Sequence, residues 1–314
     1  MIPIIDVAPL SAGGAEGLQR VAAAVGAACR GPGFFAITGH GVADLLRADV
    51  FAAAQRFFAR PEGEKRAVIF GPHTGNRGFV PMEGEALDPS RPADRKEAFN
   101  IGLDLPPDDA GVLAGEKFRA PNLWPEVAGF RETMLAYFAA ICDLGRNLHR
   151  AFAVDLGLPP EHFADALDRP LATLRLLHYP PVAAPLEEGQ LGAGTHTDYG
   201  NVTLLATDDV GGLQIKTREG AWLDAPTLPG AFICNIGDCL MRWTNDVYVS
   251  TPHRVVPPTD RARLSVAFFL DPNPDAIVSC LPTCQGPGRP AKYADIRGDD
   301  YLESRLRATH TSLS

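Results

Sequence analysis

What most constrains this chain is a texture: from Leu171 onward it breaks into short β-prone runs, each cut off by turn residues. The runs are Leu171–Tyr179, Val202–Ala206, Leu213–Lys216, Ala231–Ile236, His253–Val256 and Leu264–Leu270. Gly211-Gly212, Pro229-Gly230, Asn245-Asp246 and Pro257-Pro258-Thr259-Asp260 punctuate them. A parallel sheet needs long helical crossovers between strands, and these runs leave no room for them. They predict a sandwich or jelly roll.

The first half reads as mixed α and β. Ile2–Val7 and Phe34–Thr38 are β-prone, and the Ala-rich run Glu16–Cys29 predicts a helix stopped at Gly31-Pro32-Gly33. A second helix is expected over Ala43–Ala59, where Leu46, Val50, Ala54, Phe57 and Phe58 follow helical spacing. Residues 71–92, rich in Gly and Pro, predict a long loop, and loops of that length are usually functional. A strand at Glu97–Gly102, a long helix over Phe130–Leu156 and a terminal helix around Asp299–Arg307 complete the reading. The expected organisation is a mixed α/β N-terminal region over 1–120. A helix plus β core with a C-terminal helix follows over 121–314.

Composition narrows the function. A net charge of −9 with no Lys/Arg-dense stripe argues against nucleic acid, which needs clustered cations. The apolar runs are too short to span a bilayer, and the N-terminus lacks the charge pattern of a leader. A cytoplasmic protein acting on a small molecule is expected. Cys29, Cys142, Cys234, Cys239, Cys280 and Cys284 contain no Cys-x-x-Cys pair and predict buried thiols. Gly189-x-x-Gly192-x-Gly194 has the wrong order for a dinucleotide fingerprint, and no helix follows it.

The chemistry centres on His196-Thr197-Asp198. In an extended segment His196 and Asp198 share a face, placing a neutral nitrogen beside an anionic oxygen. Alone, such a pair is far more often a surface pair or a side-chain hydrogen bond than a metal site. One more His would complete the 2-His-1-carboxylate arrangement of non-haem Fe(II) oxygenases. His253 opens a β-prone run in the same strand-rich half, whereas His40, His73, His149, His162 and His310 have structural or solvent-facing settings. Period-2 geometry puts Arg263, Ser265, Ala267 and Phe269 on one face, so that a guanidinium beside a hydroxyl could hold a carboxylate. Asp238 is expected to serve a turn or a hydrogen bond.

These residues fall into an order that resembles the Fe(II)/2-oxoglutarate-dependent oxygenases of the isopenicillin N synthase-like family. The resemblance rests on Leu177-His178-Tyr179-Pro180-Pro181, Gly194-Thr195-His196-Thr197-Asp198-Tyr199-Gly200, Asp209-Val210-Gly211-Gly212-Leu213-Gln214, Asn235-Ile236-Gly237-Asp238, His253-Arg254-Val255 and Arg263-Leu264-Ser265. It extends to Ile2-Pro3-Ile4-Ile5-Asp6, Gly33-Phe34-Phe35 with His40-Gly41-Val42, and Lys96-Glu97-Ala98-Phe99.

The resemblance implies a mostly β double-stranded β-helix, or distorted jelly roll, with flanking helices. It implies Fe(II) held by His196, Asp198 and His253, with 2-oxoglutarate held by Arg263 and Ser265 and helped by Tyr179. O₂ would be the other cosubstrate, and hydroxylation of a small molecule with release of succinate and CO₂ the outcome. Leu177 stands where many plant members carry Asn, so that auxiliary hydrogen bond is expected to be missing. Arg77, Phe79, Phe99, Arg175 and Phe269 are the expected substrate contacts, and an inward Arg175 would favour a carboxylate-bearing substrate. Two rival readings are an iron oxidase of the same family that does without 2-oxoglutarate and a metal-containing jelly-roll binding protein without catalysis.

Overall fold

The computed structural model describes residues 2–182 and 186–309. Its first half runs β1 (Ile4–Asp6), α1 (Pro9–Ala12), α2 (Gly14–Arg30), β2 (Phe34–Thr38), α3 (Asp44–Phe58), α4 (Glu62–Arg66), β3 (Gly78–Val80), β4 (Glu97–Gly102), α5 (Ala110–Leu113) and the long α6 (Phe130–Asp155). The second half runs β5 (Thr173–Tyr179), β6 (Ala193–His196), β7 (Val202–Thr207), β8 (Leu213–Lys216), β9 (Trp222–Asp224), β10 (Phe232–Ile236) and α7 (Asp238–Trp243). It ends with β11 (His253–Val255), β12 (Arg263–Leu270), β13 (Ile277–Val278), β14 (Ile296–Arg297) and α8 (Gly298–Thr309).

Eight strands form one sheet in the order β1-β2-β10-β7-β12-β5-β4-β3, and four form a second in the order β6-β11-β8-β9. Apart from the parallel β1–β2 pair, the ladders of both sheets are antiparallel. This is the expected double-stranded β-helix. The N-terminal strands extend the larger sheet at both edges, β1 and β2 beside β10 and β3 and β4 beside β5.

Alternation along the central strands divides the interior. Val266, Phe268 and Leu270 of β12, Leu174 and Leu176 of β5 and Phe99 and Ile101 of β4 join α2, α3 and α6 in the main core. Burial of that face is the chief favourable term holding the helices to the sheet. The opposite face meets the smaller sheet through Leu177, Tyr179 and Ala267 against Ala193, Leu213 and Val255. There the packing is incomplete, and a cavity opens between the sheets.

The β-prone runs fold as expected, with ends shifted by a residue or two. The weakly β-prone segments differ. β3 lies inside the Gly/Pro-rich stretch, and β6, Ala-Gly-Thr-His, has low intrinsic strand preference. β6 is extended because β11 pairs with it, His253 opposite His196 and Val255 opposite Ala193. All six cysteines are free thiols and five are buried. Among the described residues no helix is long and apolar enough to cross a membrane. His310 lies outside the described residues.

Candidate metal centre

The smaller sheet supplies two imidazoles. His196 closes β6 and His253 opens β11 directly across the ladder, with ring centroids 4.3 Å apart. Asp198 lies beyond the end of β6, so strand alternation does not bring it to His196. A turn does, held where Asp238 N donates to the Asp198 carbonyl (2.8 Å) at the start of α7. That approach requires Gly237: a Cβ there would meet the Gly200 carbonyl oxygen at 2.2 Å.

Asp198 Oδ1 is 3.7 Å from His196 Nε2 and 3.6 Å from His253 Nε2, and the three potential ligand atoms lie within 4.8 Å of one another. The remaining atoms of these side chains are already engaged. His196 Nδ1 faces the Gly194 carbonyl at 2.7 Å and His253 Nδ1 faces that of Thr251 at 3.1 Å. A carbonyl only accepts, so each proton sits on Nδ1 and each Nε2 turns a lone pair toward the shared point. Asp198 Oδ2 accepts from Thr203 Oγ1 (2.5 Å) and Asn235 Nδ2 (2.7 Å), which leaves Oδ1 for a metal. Two neutral nitrogens and one hard oxygen on one side of an open space fit a divalent iron.

For Asp198 and His196 the electrostatics agree, while burial of His253 is outweighed by the Asp198 charge, which raises it. Burial would raise the Asp198 carboxyl, but His253, His196 and the Thr203 hydroxyl outweigh it and hold it well below the usual range. Burial, then His253, pushes His196 down to about 3. Its imidazole is therefore neutral, as a ligand must be.

Beyond the triad, Arg263 is 1% exposed, with Nη1 donating to Ser265 Oγ (3.1 Å) and its guanidinium 4.9 Å from the Tyr179 ring centroid. Among the described residues it has no acidic partner, and its Nε is unpaired. A buried cation without a counter-charge is costly, so the geometry suits an incoming carboxylate. Leu177 borders the same cavity as a purely apolar wall.

Of the five expected substrate contacts, Arg175 and Phe269 line the cavity. Arg175 is not an unneutralised cation, however. Glu85 accepts from both terminal nitrogens, at 2.7 and 3.3 Å, and also pairs with buried Lys96 at 3.0 Å. Lys96 is held in turn by Asp94. Two cations and two anions cancel there, so Arg175 does not by itself call for an anionic substrate.

Phe79 and Phe99 need a correction. Neither reaches the cavity: they pair across β3 and β4 and point to the helix side, 5.8 and 4.8 Å from the Phe57 ring centroid. Nothing in their own strands says which face the helices cover. Arg77 is also absent from the cavity wall and borders a smaller adjoining space.

Several cavity residues escaped the sequence reading: Asn100, Thr203, Asn235 and Asp271. A signal was present, because each of the first three is a polar residue flanked by apolar neighbours within a strand (Glu97–Gly102, Val202–Thr207, Phe232–Ile236). Asp271 follows β12, and burial, then the Asp198 charge, pushes its carboxyl up to about 7. Asp238 has the hydrogen-bonding role expected of it, accepting from Thr197 Oγ1 (3.0 Å) and pairing with Arg305 of α8 (2.7 Å).

Comparison with known proteins places this geometry. Residues 2–127 match the family model described as the non-haem dioxygenase in morphine synthesis N-terminal region, and residues 170–272 match that of the 2OG-Fe(II) oxygenase superfamily. The chain is 34% identical to a 2-oxoglutarate-Fe(II) type oxidoreductase of Emericella nidulans, covering 98% of this chain and 90% of that protein. It is 36% identical to a homoarginine-6-hydroxylase of Oryza sativa subsp. japonica, covering 97% and 96%. Among solved structures, a full-length Neurospora crassa protein in complex with alpha-KG and thymine superposes with a TM-score of 0.87 at 32% identity, covering 98% of this chain and 96% of that one.

Proposed function

The chain belongs to the 2OG-Fe(II) oxygenase superfamily and is an Fe(II)- and 2-oxoglutarate-dependent dioxygenase of small molecules; from that premise we propose a role for each group around the cavity. His196, Asp198 and His253 hold the iron. Arg263 and Ser265 receive the distal carboxylate of 2-oxoglutarate, with Tyr179 bracing the guanidinium. The observation that carries this reading is the pairing of a three-donor corner with a buried, uncompensated arginine in one cavity.

Bound iron supplies the activation of O₂ that couples loss of CO₂ from 2-oxoglutarate to oxidation of the substrate. The protein's own residues do the rest. Thr203 and Asn235 hold Asp198 in one rotamer, so a single oxygen points at the metal. The Gly194 and Thr251 carbonyls fix the two ring orientations. The Arg263 fork sets the distance of the cosubstrate's far end, and the apolar wall of Leu177, Leu205, Leu213 and Val255 keeps water from the reacting atoms.

Hydroxylation is the outcome proposed for the substrate. The N-terminal motifs support a place on the isopenicillin N synthase-like branch, and six free thiols support the cytoplasm. A functional division into 1–120 and 121–314 is supported by separate matches to 2–127 and 170–272, although strands from both halves share one sheet and would fold together. Succinate and CO₂ measured per turnover test the assignment. One succinate per O₂ is expected, with loss of both in Asp198→Ala. Substrate oxidation without succinate would make the protein a 2-oxoglutarate-independent oxidase.

A further inference from the structure

The ion network that neutralises Arg175 reaches past the cavity wall to the metal centre. Glu85, Lys96 and Arg175 border the cavity, and Asp94, 2% exposed, lies behind them. Asp94 Oδ2 accepts from the Lys96 ammonium and from the Leu87 N–H, the latter at 3.2 Å. The Asp94 backbone is pinned as well: its N–H donates to the Glu85 carbonyl at 2.8 Å, and its carbonyl accepts from Lys96 N at 2.8 Å. With one oxygen and both backbone groups committed, the remaining oxygen has a fixed direction. Asp94 Oδ1 accepts from the Gly194 N–H at 2.8 Å, across 100 positions of chain.

Gly194 is where β6 departs from regular pairing. His253 faces His196 and Val255 faces Ala193, so Gly194 and Thr195 together stand opposite Arg254 alone. Such a bulge bends the strand, re-aims its side chains and leaves backbone groups without a ladder partner. Here the bulged N–H goes to Asp94, and the carbonyl of the same residue faces His196 Nδ1 at 2.7 Å. A glycine turns readily about its Cα, so the carbonyl that orients the imidazole stays in place only if the residue is held from its other side. Only glycine fits the contact, because a Cβ would stand 2.9 Å from Asp88 N and 3.0 Å from Asp88 Cβ and would push away the loop that carries Asp94. His253 has a separate support. Its Nδ1 faces the Thr251 carbonyl, and Thr251 Oγ1 donates to the Pro32 carbonyl at 2.7 Å.

We propose that Asp94 is a positioning residue of the metal centre: its carboxylate, locked by Lys96, holds the bulge at Gly194 and through it the ring of His196, while His253 is oriented independently. The inference rests on His196 and His253 being metal ligands. A charged acceptor suits the task, since a carboxylate holds a backbone N–H roughly twice as strongly as a neutral oxygen does. Glu85 shares Lys96 with Asp94 and also holds Arg175, so the charges at this end of the cavity brace an iron ligand.

The test loads the full chain with Co(II) and reads the imidazole N–H protons by proton NMR. Each ligand ring carries its proton on Nδ1, so the wild type should give two exchangeable signals shifted far outside the ordinary range. The His253 signal is identified by its Overhauser contact with Phe34, whose ring centroid lies 5.3 Å from that of His253. Asp94→Ala should move or exchange-broaden the His196 signal, leave the His253 signal in place, and weaken Co(II) binding about 10–100-fold. Asp94→Asn keeps the shape and an oxygen for the Gly194 N–H, and should move the same signal by less, with an intermediate affinity. A merely structural contribution to the fold would move both signals together or neither, and either result overturns the assignment. If Asp94→Ala does not fold, Asp94→Asn decides by the same criterion. A wild type without two such signals would overturn the metal centre and this inference with it, whereas two signals untouched by the variants would overturn the inference alone.

Discussion

Along β12, Val266, Phe268 and Leu270 point to the helices, while Arg263, Ser265, Ala267 and Phe269 point into the cavity. The same division runs through β4, β5, β7 and β10, so one sheet has two faces of opposite character. On the helix face Phe57, Phe79, Phe99 and Phe130 pack edge to face or tilted, and Phe268 meets Phe138 of α6 at 5.1 Å. On the cavity face Arg263 Nε, Asn100 Oδ1 and Asp271 Oδ1 are buried without a partner among the described residues. Close packing leaves no place for a ligand, whereas unpaired polar atoms beside an open cavity can be satisfied by one. The first face therefore holds the fold and the second does the chemistry.

That contrast can be broken by substitution. Asp198→Ala removes one of the three proposed metal donors and should lower 2-oxoglutarate turnover on the order of 10³-fold or more, since metal catalysis contributes several kcal/mol. Succinate release measures it, and retention of a tenth of the wild-type rate would remove Asp198 from the metal centre. Phe99→Ala on the helix face should cost about 3–5 kcal/mol of stability in urea unfolding. Phe269→Ala on the cavity face should cost less than about 1.5 kcal/mol while raising the substrate KM. Similar losses of stability in the two variants would erase the distinction between the faces.

The helix face should also respond to acid through His149 of α6, which is 1% exposed, faces the Gly145 carbonyl at 2.8 Å and Asn201 at 3.2 Å, and is lowered by burial to about 4. A histidine lowered in the folded state binds its proton more readily when unfolded. Its contribution is present above about pH 6.5 and is lost as the pH falls toward 4, a change on the order of 3 kcal/mol. Comparing urea midpoints of wild type and His149→Gln across that window checks the sign: the variant should show the weaker dependence. A further effect, on cosubstrate binding, is expected for Arg263→Met. Loss of a charged hydrogen-bonding partner, about 1.5–3 kcal/mol, should raise the KM for 2-oxoglutarate roughly 10–100-fold. An unchanged KM would place the cosubstrate elsewhere.

Much of this arrangement was legible before the fold. The ligand triad and the Arg263–Ser265 clamp lie on or beside strands, where period-2 alternation and the order of motifs are informative. Asp198 shows the limit of that reasoning. It reaches His196 through a turn after β6, held by Gly237 some forty residues later, so the inferred proximity was right although the extended geometry was not. Phe79 and Phe99 show another limit. Alternation relates residues within a strand but does not say which side the helices will cover.

The sequence by itself determined the antiparallel β architecture, the chemical identity of the proposed metal donors and the face shared by Arg263, Ser265 and Phe269. Those depend on side-chain type and local backbone period, which a strand carries with it. Only the tertiary structure decided which arginines keep their charge available. Glu85 meets Arg175 from 90 positions away and cancels it, while Arg77, over Gly102, meets only carbonyls among the described residues. Counter-charges come from chain distant in sequence, and an ion's chemistry in a dry interior depends on what that chain brings.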